Sequence, residues 1–311
     1  MSSWKAGADG LRWAIVVLCA GVCFTGPAKA DELGDALEAA SREDYARAAT
    51  MLEPLAKAGD ANAQQTLATL YAEGLGVAPD ADRAFALFQA AAEQHHPVAL
   101  YNMAEMARNG RVNGVGDGAA AEWLAEAAEL GYGPAGNQMG ALYLAGDGVT
   151  KSSGAAARFF RIAAVGGNPD AQFNLANLFR RGEGVPESMA WAYHWYSEAA
   201  LQGQTQAMVN LGLMYATGTG VAEDMVAAAS WMASAAEAED PLGQRYLGQM
   251  YRDGDGVGQD PVAALKWYIL AAAQGDQEAK AAAGELKPTM SDTQASQAAA
   301  DAKSWIAAHS R

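Results

Sequence analysis

Four histidines, two cysteines and a recurrent Gly-x-Gly run are the features of this 311-residue chain whose types could do chemistry. The histidines are His95, His96, His194 and His309. None has a second ligand at the spacing a metal site needs, so the sequence predicts no metal centre. Cys19 and Cys23 lie in an N-terminal segment that reads as an export signal. The mature chain would then hold no thiol nucleophile, no disulfide and no thiolate metal site. Gly-x-Gly could cradle a phosphate, but a phosphate loop follows a strand and carries a lysine. Here the runs, such as Gly146-Asp147-Gly148 and Gly182-Glu183-Gly184, follow a helical pattern and lack the lysine. Carboxylates are many but scattered, and no Ser-x-x-Lys or Gly-x-Ser-x-Gly occurs. The sequence therefore predicts no catalytic residue, no cofactor and no enzyme.

Periodicity organises these residues. Small residues stand at Ala63, Ala99, Ala135, Ala171, Ala207, Gly243 and Ala279, 36 apart. With Ala63 as position 0, position 4 is Leu67, Met103, Met139, Leu175, Leu211 and Leu247. Position 5 is small, position 8 is mostly Tyr or Phe, and position 11 is always glycine. Positions 0, 4, 5 and 8 share one side of a helix, helix A, which alternates small and large side chains. The glycine after it suits a C′ residue with positive φ.

Helix B begins after Asp80, Ser152, Ser188, Asp224 and Asp260, which read as N-caps. Its large residue falls at position 24 or 25: Phe88, Trp123, Phe159, Trp195, Trp231 and Trp267. Aromatics at this spacing are expected in the core, with a sugar-stacking platform as the alternative. Gly131, Gly167, Gly203 and Gly275 end helix B, and Asp60, Asn168, Asp240 and Asp276 cap the next helix A. His95 takes the helix-ending glycine slot and His96 the cap slot, so both read as structural.

These residues resemble the Sel-one-like repeat (SLR) family, relatives of the tetratricopeptide repeat. The copy from Gly243 to Glu278 carries the pattern most fully: Tyr246-Leu247-Gly248, Tyr251, Gly254-Asp255-Gly256-Val257, Asp260, Ala264, Trp267-Tyr268, Ala271-Ala272 and Gly275. The copy from Ala99 to Pro134 departs from it, with Ala107 in the tyrosine slot and Gly110-Arg111-Val112-Asn113-Gly114 in place of the turn. The resemblance implies an all-α fold, a right-handed α/α solenoid of 36-residue helix-turn-helix repeats with terminal capping helices. The expected organisation is a signal peptide over 1–30 and N-terminal capping helices over 31–62. Six repeats follow over 63–278, at 63–98, 99–134, 135–170, 171–206, 207–242 and 243–278, with C-terminal capping helices over 279–311. Met290-Ser291-Asp292-Thr293-Gln294 reads as a capping box that opens a last helix to about His309, anchored by Trp305 and Ile306.

Charge and the N-terminus narrow the function. The formal net charge is -15, from 36 acidic and 21 basic residues, which argues against nucleic acid because phosphate binding needs clustered cations. Acidity serves solubility or a basic partner. Lys5 and Arg12, the apolar run Trp13 to Phe24, and Ala28-Lys29-Ala30 make a secretory signal, too short to span a bilayer. The mature chain is expected to be periplasmic or secreted, not inserted in a membrane, and monomeric.

In the tetratricopeptide relatives, helix A lines a concave groove where asparagines bind peptide backbone. The resemblance implies a similar surface at positions 3, 7 and 10: Asn102, Met106, Asn109, Gln138, Asn174, Leu178, Arg181, Asn210, Met214 and Asp253. Amides offer donor and acceptor together, and methionine adapts to irregular apolar partners. The alternative is that asparagine at position 3 supports the inter-repeat turn. The expected function is an exported scaffold or regulator that holds a partner protein or extended peptide. Exported relatives include regulators that bind a sensor kinase's outer domain. Cell-wall binding or β-lactamase-like hydrolysis is the alternative.

Overall fold

The computed structural model describes residues 27–112, 115 and 117–309. The expected signal at 1–30 lies outside them except for Pro27–Ala30, which begin the first helix. The described residues form helices and turns without a strand. The chain divides into two compact units between Lys151 and Ser152, inside the third repeat and between its two helices. The first unit holds α1 (Pro27–Ser41), α2 (Tyr45–Lys57), α3 (Ala61–Glu73), α4 (Ala81–Ala92), α5 (Pro97–Arg108), α6 (Asp117–Glu129) and α7 (Gly133–Ala145). The second holds α8 (Ser153–Val165), α9 (Pro169–Arg181), α10 (Met189–Leu201), α11 (Thr205–Thr217), α12 (Met225–Glu237), α13 (Pro241–Asp253), α14 (Pro261–Ala273), α15 (Gln277–Leu286), a 3₁₀ turn (Lys287–Thr289) and α16 (Asp292–His309). Within each unit each helix packs against the next, the nearest-neighbour pattern of a helical solenoid, except that α16 packs back on α14.

The expected caps form. Asp80, Ser152, Ser188, Asp224 and Asp260 each accept a backbone N–H in the first turn of helix B. Helix A ends on a left-handed glycine. At Gly182 (φ 66°) the N–H donates to the Leu178 carbonyl, and Glu183 N–H donates to the same oxygen. Ser188 N–H then reaches back to Phe179 O at 2.9 Å, which closes the hairpin. In the divergent second copy, Arg111 instead donates to the Ala72 carbonyl and pairs with Glu73 at 3.2 Å. An arginine thus ties that turn to the end of α3.

The second glycine of each turn has a different duty from the first. Gly76, Gly184, Gly220 and Gly256 lie against the backbone that opens helix B of the preceding repeat. A Cβ on Gly220 would stand 2.6 Å from Met189 O, and one on Gly256 would overlap Met225 O.

A buried amide ladder runs along the stack. Gln64, Gln172 and Gln244, at position 1, are buried. Each donates to the helix B carbonyl of the preceding repeat: Ala56 O, Ala164 O and Ala236 O at 3.1, 3.1 and 3.3 Å. Each accepts from a glutamine that follows its own helix B: Gln94, Gln202 and Gln274 at 2.9, 2.8 and 3.1 Å. The pairing is matched in sequence. Where position 1 is Leu100, its counterpart is Leu130, and where it is Gly136, the counterpart is Gly166.

The aromatic core row is position 25. Tyr196, Tyr268, Phe160 and Leu124 are fully buried there, while Trp123, Trp195 and Trp231 at position 24 stay half-buried. At the C-terminus the capping box forms: Gln294 N–H donates to Ser291 Oγ at 3.2 Å, and Ser291 N–H donates to Gln294 Oε1 at 3.0 Å. Trp305 anchors α16, but Ile306 is largely exposed.

Three outcomes follow. Gly256→Ala should cost about 2 kcal/mol or more in chemical denaturation, whereas Gly258→Ala, where a Cβ meets nothing, should be near neutral. Gln172→Ala should cost about 1 kcal/mol because it removes the bonds to Ala164 O and from Gln202. Gln172→Leu with Gln202→Leu, which copies Leu100 and Leu130, should cost less than the single change. The third concerns His96, whose Nδ1 accepts from Ala99 N–H and whose Nε2 lies 3.2 Å from Asn62 Oδ1, so the neutral ring caps α5. Burial holds its pKa below the ordinary 6.5. The stability it adds is complete above that value and falls as pH drops below it, because protonation removes the acceptor. Thermal midpoints should therefore fall from pH 7.5 to 5, and His96→Asn should flatten that slope.

Candidate partner-binding surface

Helix A is enclosed on two sides, and geometry decides which positions remain for a partner. Position 7 lies on the same stripe as positions 0, 4 and 8, since residues seven apart are two turns apart. Met106, Leu178 and Met214 are accordingly core residues, 3%, 2% and 5% exposed. Their expected role as partner contacts is corrected. Positions 3 and 10 fall at the edge of the buried arc. Asn102, Gln138, Asn174 and Asn210 are half-buried, while Asn109, Arg181 and Asp253 are exposed.

In the first unit the strip links α5 to α7. Gln138 Nε2 donates to Glu105 Oε1 at 2.6 Å, across the repeat boundary. Gln138 Oε1 is buried and has no hydrogen-bond partner, an arrangement that costs about 1–3 kcal/mol unless a donor arrives. Asn102 and Glu105 are three residues apart on α5, on one face. Arg108 then pairs with Asp147 at 2.9 Å, fixing the far end of the strip. Asn109 is the residue after α5, and its backbone N–H bonds within that helix's last turn. Tyr101 packs edge-on against Tyr132 at 5.1 Å, and burial pushes its hydroxyl up to about 12. Glu105, Arg108 and Asp147 were not anticipated. The i,i+3 spacing of Asn102 and Glu105 was the available signal.

In the second unit several strip residues are already engaged. Asn174 has an interaction within the protein. Asn210 donates to Gln206 O on its own helix at 2.7 Å. Arg181 lies 3.8 Å from Glu183. Asp253 receives Arg252 Nε at 2.7 Å, and that guanidinium holds its carboxyl below the usual range. Asn177, three residues beyond Asn174, is positioned by the core: buried Tyr196 donates to its Oδ1 at 2.8 Å and accepts from Arg180 Nε at 3.2 Å.

Both strips present amides, carboxylates and guanidiniums from helix A and the turn after it. Among the described residues, no group of three His, Cys, Asp or Glu could hold a metal ion. No described helix is long and apolar enough to cross a membrane.

The Sel1 repeat model matches this chain at 61–96, 97–132, 135–168, 169–204, 205–240 and 241–276. The chain belongs to the Sel1 repeat family. Most of these matches start two residues before the 36-residue blocks counted from Ala63, close to where each helix A begins. Among solved structures, a protective antigen of uropathogenic Escherichia coli with an SLR fold is 31% identical (TM-score 0.73), over 80% of this chain and 54% of its own. A Sel1 repeat protein from Oxalobacter formigenes is 30% identical (TM-score 0.65), over 77% of this chain and 69% of its own. The chain thus spans about half the length of the E. coli antigen. No curated protein matches it. Sel1 repeat proteins are protein-interaction scaffolds, which accords with helices that present amides at a regular spacing.

Proposed function

We propose that this chain is an exported scaffold that holds an extended segment of a partner protein on the helix A face. Gln138 carries the reading: its carbonyl oxygen is buried without a donor, beside a glutamate that already accepts from its amide. The unmet group is an acceptor and its neighbour a carboxylate, so the fitting ligand brings donors, either backbone N–H groups or basic side chains. The formal charge of -15 favours the same partner electrostatically. The N-terminal pattern of cations, apolar run and Ala28-Lys29-Ala30 supports export. In that compartment the outer domain of an envelope sensor kinase is the partner class proposed, with the scaffold as its regulator.

Affinity capture from envelope extract tests the strip. Asn102→Ala with Gln138→Ala should recover the wild-type partner at least tenfold less well, while the variant keeps its helical signal. Equal recovery would remove the helix A reading. Export is tested separately: residues 1–30 fused to alkaline phosphatase should give activity outside the cytoplasm, and an inactive fusion would contradict it. One observation favours a second reading, cell-wall glycan. Trp191 is 52% exposed, with its ring stacked on Phe179 at 6.0 Å, as a sugar platform would be. Co-sedimentation with peptidoglycan that Trp191→Ala abolishes would support it, and no saturable binding would discard it.

A further inference from the structure

The second copy departs from the repeat at its turn and at its ladder rung, and residues of both line one cavity. In the turn, position 13 is Val112, where Gly184, Gly220 and Gly256 lie against the start of the preceding helix B. A side chain there excludes so close a seat. In the ladder, position 1 is Leu100, where Gln64, Gln172 and Gln244 donate to a carbonyl of the preceding helix B. The matching carbonyl here belongs to Ala92. A cavity of about 390 Å³ lies between α4, α5 and α6, lined by Leu100, Ala92 and Val115 of that turn among others. Its volume falls within the range of small-molecule sites, roughly 300–1,000 Å³.

The floor is apolar: Leu100, Met103 and Ala92 are buried beneath it. Phe85 and Trp123 are half-buried walls, with ring centroids 6.0 Å apart and planes inclined at 57°, so the two rings form a corner. Position 22, which Phe85 holds, is alanine in three other copies, at Ala121, Ala157 and Ala229. The stacking of repeats therefore does not require this ring. The charge on the lining is of one sign. Glu93 and Glu126 contribute to it, and no lysine or arginine does among the described residues. Glu93 accepts from Gln89 Nε2 at 3.5 Å, and Glu126 Oε1 lies 2.8 Å from His95 Nδ1. An amide and a neutral imidazole donate without cancelling charge, so both carboxylates stay anionic.

We propose that this cavity binds a small organic cation, an ammonium ion carried on an apolar body. The floor of Leu100 and Met103 takes the body. The cationic head lies against the Phe85–Trp123 corner, because the face of an aromatic ring attracts positive charge. Glu93 and Glu126, on the same lining, supply the counter-charge. An anion would be repelled by both carboxylates, and a neutral ligand would gain nothing from them. The net charge of -15 draws cations toward the surface as a whole. The site is built from helix B and from positions 1 and 4 of helix A. It is separate from the strips at positions 3 and 10, and it stands whether or not those strips bind.

The probe is benzyltrimethylammonium, titrated calorimetrically into the full chain at pH 8, where an imidazole is neutral. Benzyl alcohol is the neutral control and phenylacetate the anionic one. The ammonium should bind saturably, at least tenfold more tightly than either control, and should weaken with salt. Glu93→Gln with Glu126→Gln should weaken it at least tenfold. Phe85→Ala, which copies Ala121 and Ala157, should do the same with unchanged circular dichroism. In proton–nitrogen spectra the indole resonance that Trp123→Phe removes should be the one that shifts on titration. Equal affinity for the ammonium and benzyl alcohol, unaltered binding to the glutamine variant, shifts confined to other indoles, or no saturable binding would each overturn the proposal. N-acetyl-lysine methylamide should bind at least tenfold less well than the ammonium. A tighter lysine probe would assign the pocket to a partner's side chain and overturn the small-molecule reading.

Discussion

No side chain fits where the second glycine of a turn meets the helix that precedes it. Gly184 touches Ser153, Gly220 touches Met189 and Gly256 touches Met225, in each case backbone against backbone and always 31 residues apart. That close approach sets how far one hairpin stands from the last. The buried glutamine ladder depends on it, because Gln172 and Gln244 can reach the carbonyls of the preceding helix B only at that spacing. The left-handed first glycine turns the chain, and the second lets the turned chain be received. Both are needed, so the loop keeps Gly-x-Gly in most copies.

The same constraint rations the surface. Helix A is squeezed between two B helices, so its rows at positions 0, 1, 4, 5 and 7 go to the core and the edge rows at positions 3 and 10 remain for a partner. On those rows the first unit holds Gln138 with an unmet acceptor, while the second satisfies Asn210 and Asp253 internally. Helix B has its own rows. Position 24 is a boundary row there: Trp195 and Trp231 remain half-buried, Phe159 is buried, and Trp267 is buried in a core that includes Ala302 of α16.

Much of this was legible in the residues. The period, the N-caps, the left-handed glycines, His96 in a cap slot and the Ser291–Gln294 capping box all follow from local rules, because each is a contact between residues close in sequence. What was missed involves one slip of helical phase and, otherwise, neighbours one repeat away. Met106, Leu178 and Met214 were assigned to the partner surface although two turns of helix bring position 7 back over position 0. The pairing of Gln64 with Gln94 and Gln172 with Gln202 was visible as a matched exchange, but a 30-residue separation hid its meaning. The second glycine's role could not be read from a turn alone, since what excludes its Cβ belongs to another repeat.

Removal of one whole repeat tests this most directly. Deletion of Thr205–Asp240 would bring Gly256 onto Met189 and Gln244 onto the Ala200 carbonyl, re-forming the contacts that the 36-residue step defines. The shortened chain should keep its helical content per residue and unfold in a cooperative transition. A deletion two residues shorter should lose both. A 36-residue deletion that collapses the helical signal, or a 34-residue deletion that leaves it intact, would contradict the claim that this one backbone contact sets the spacing of the fold.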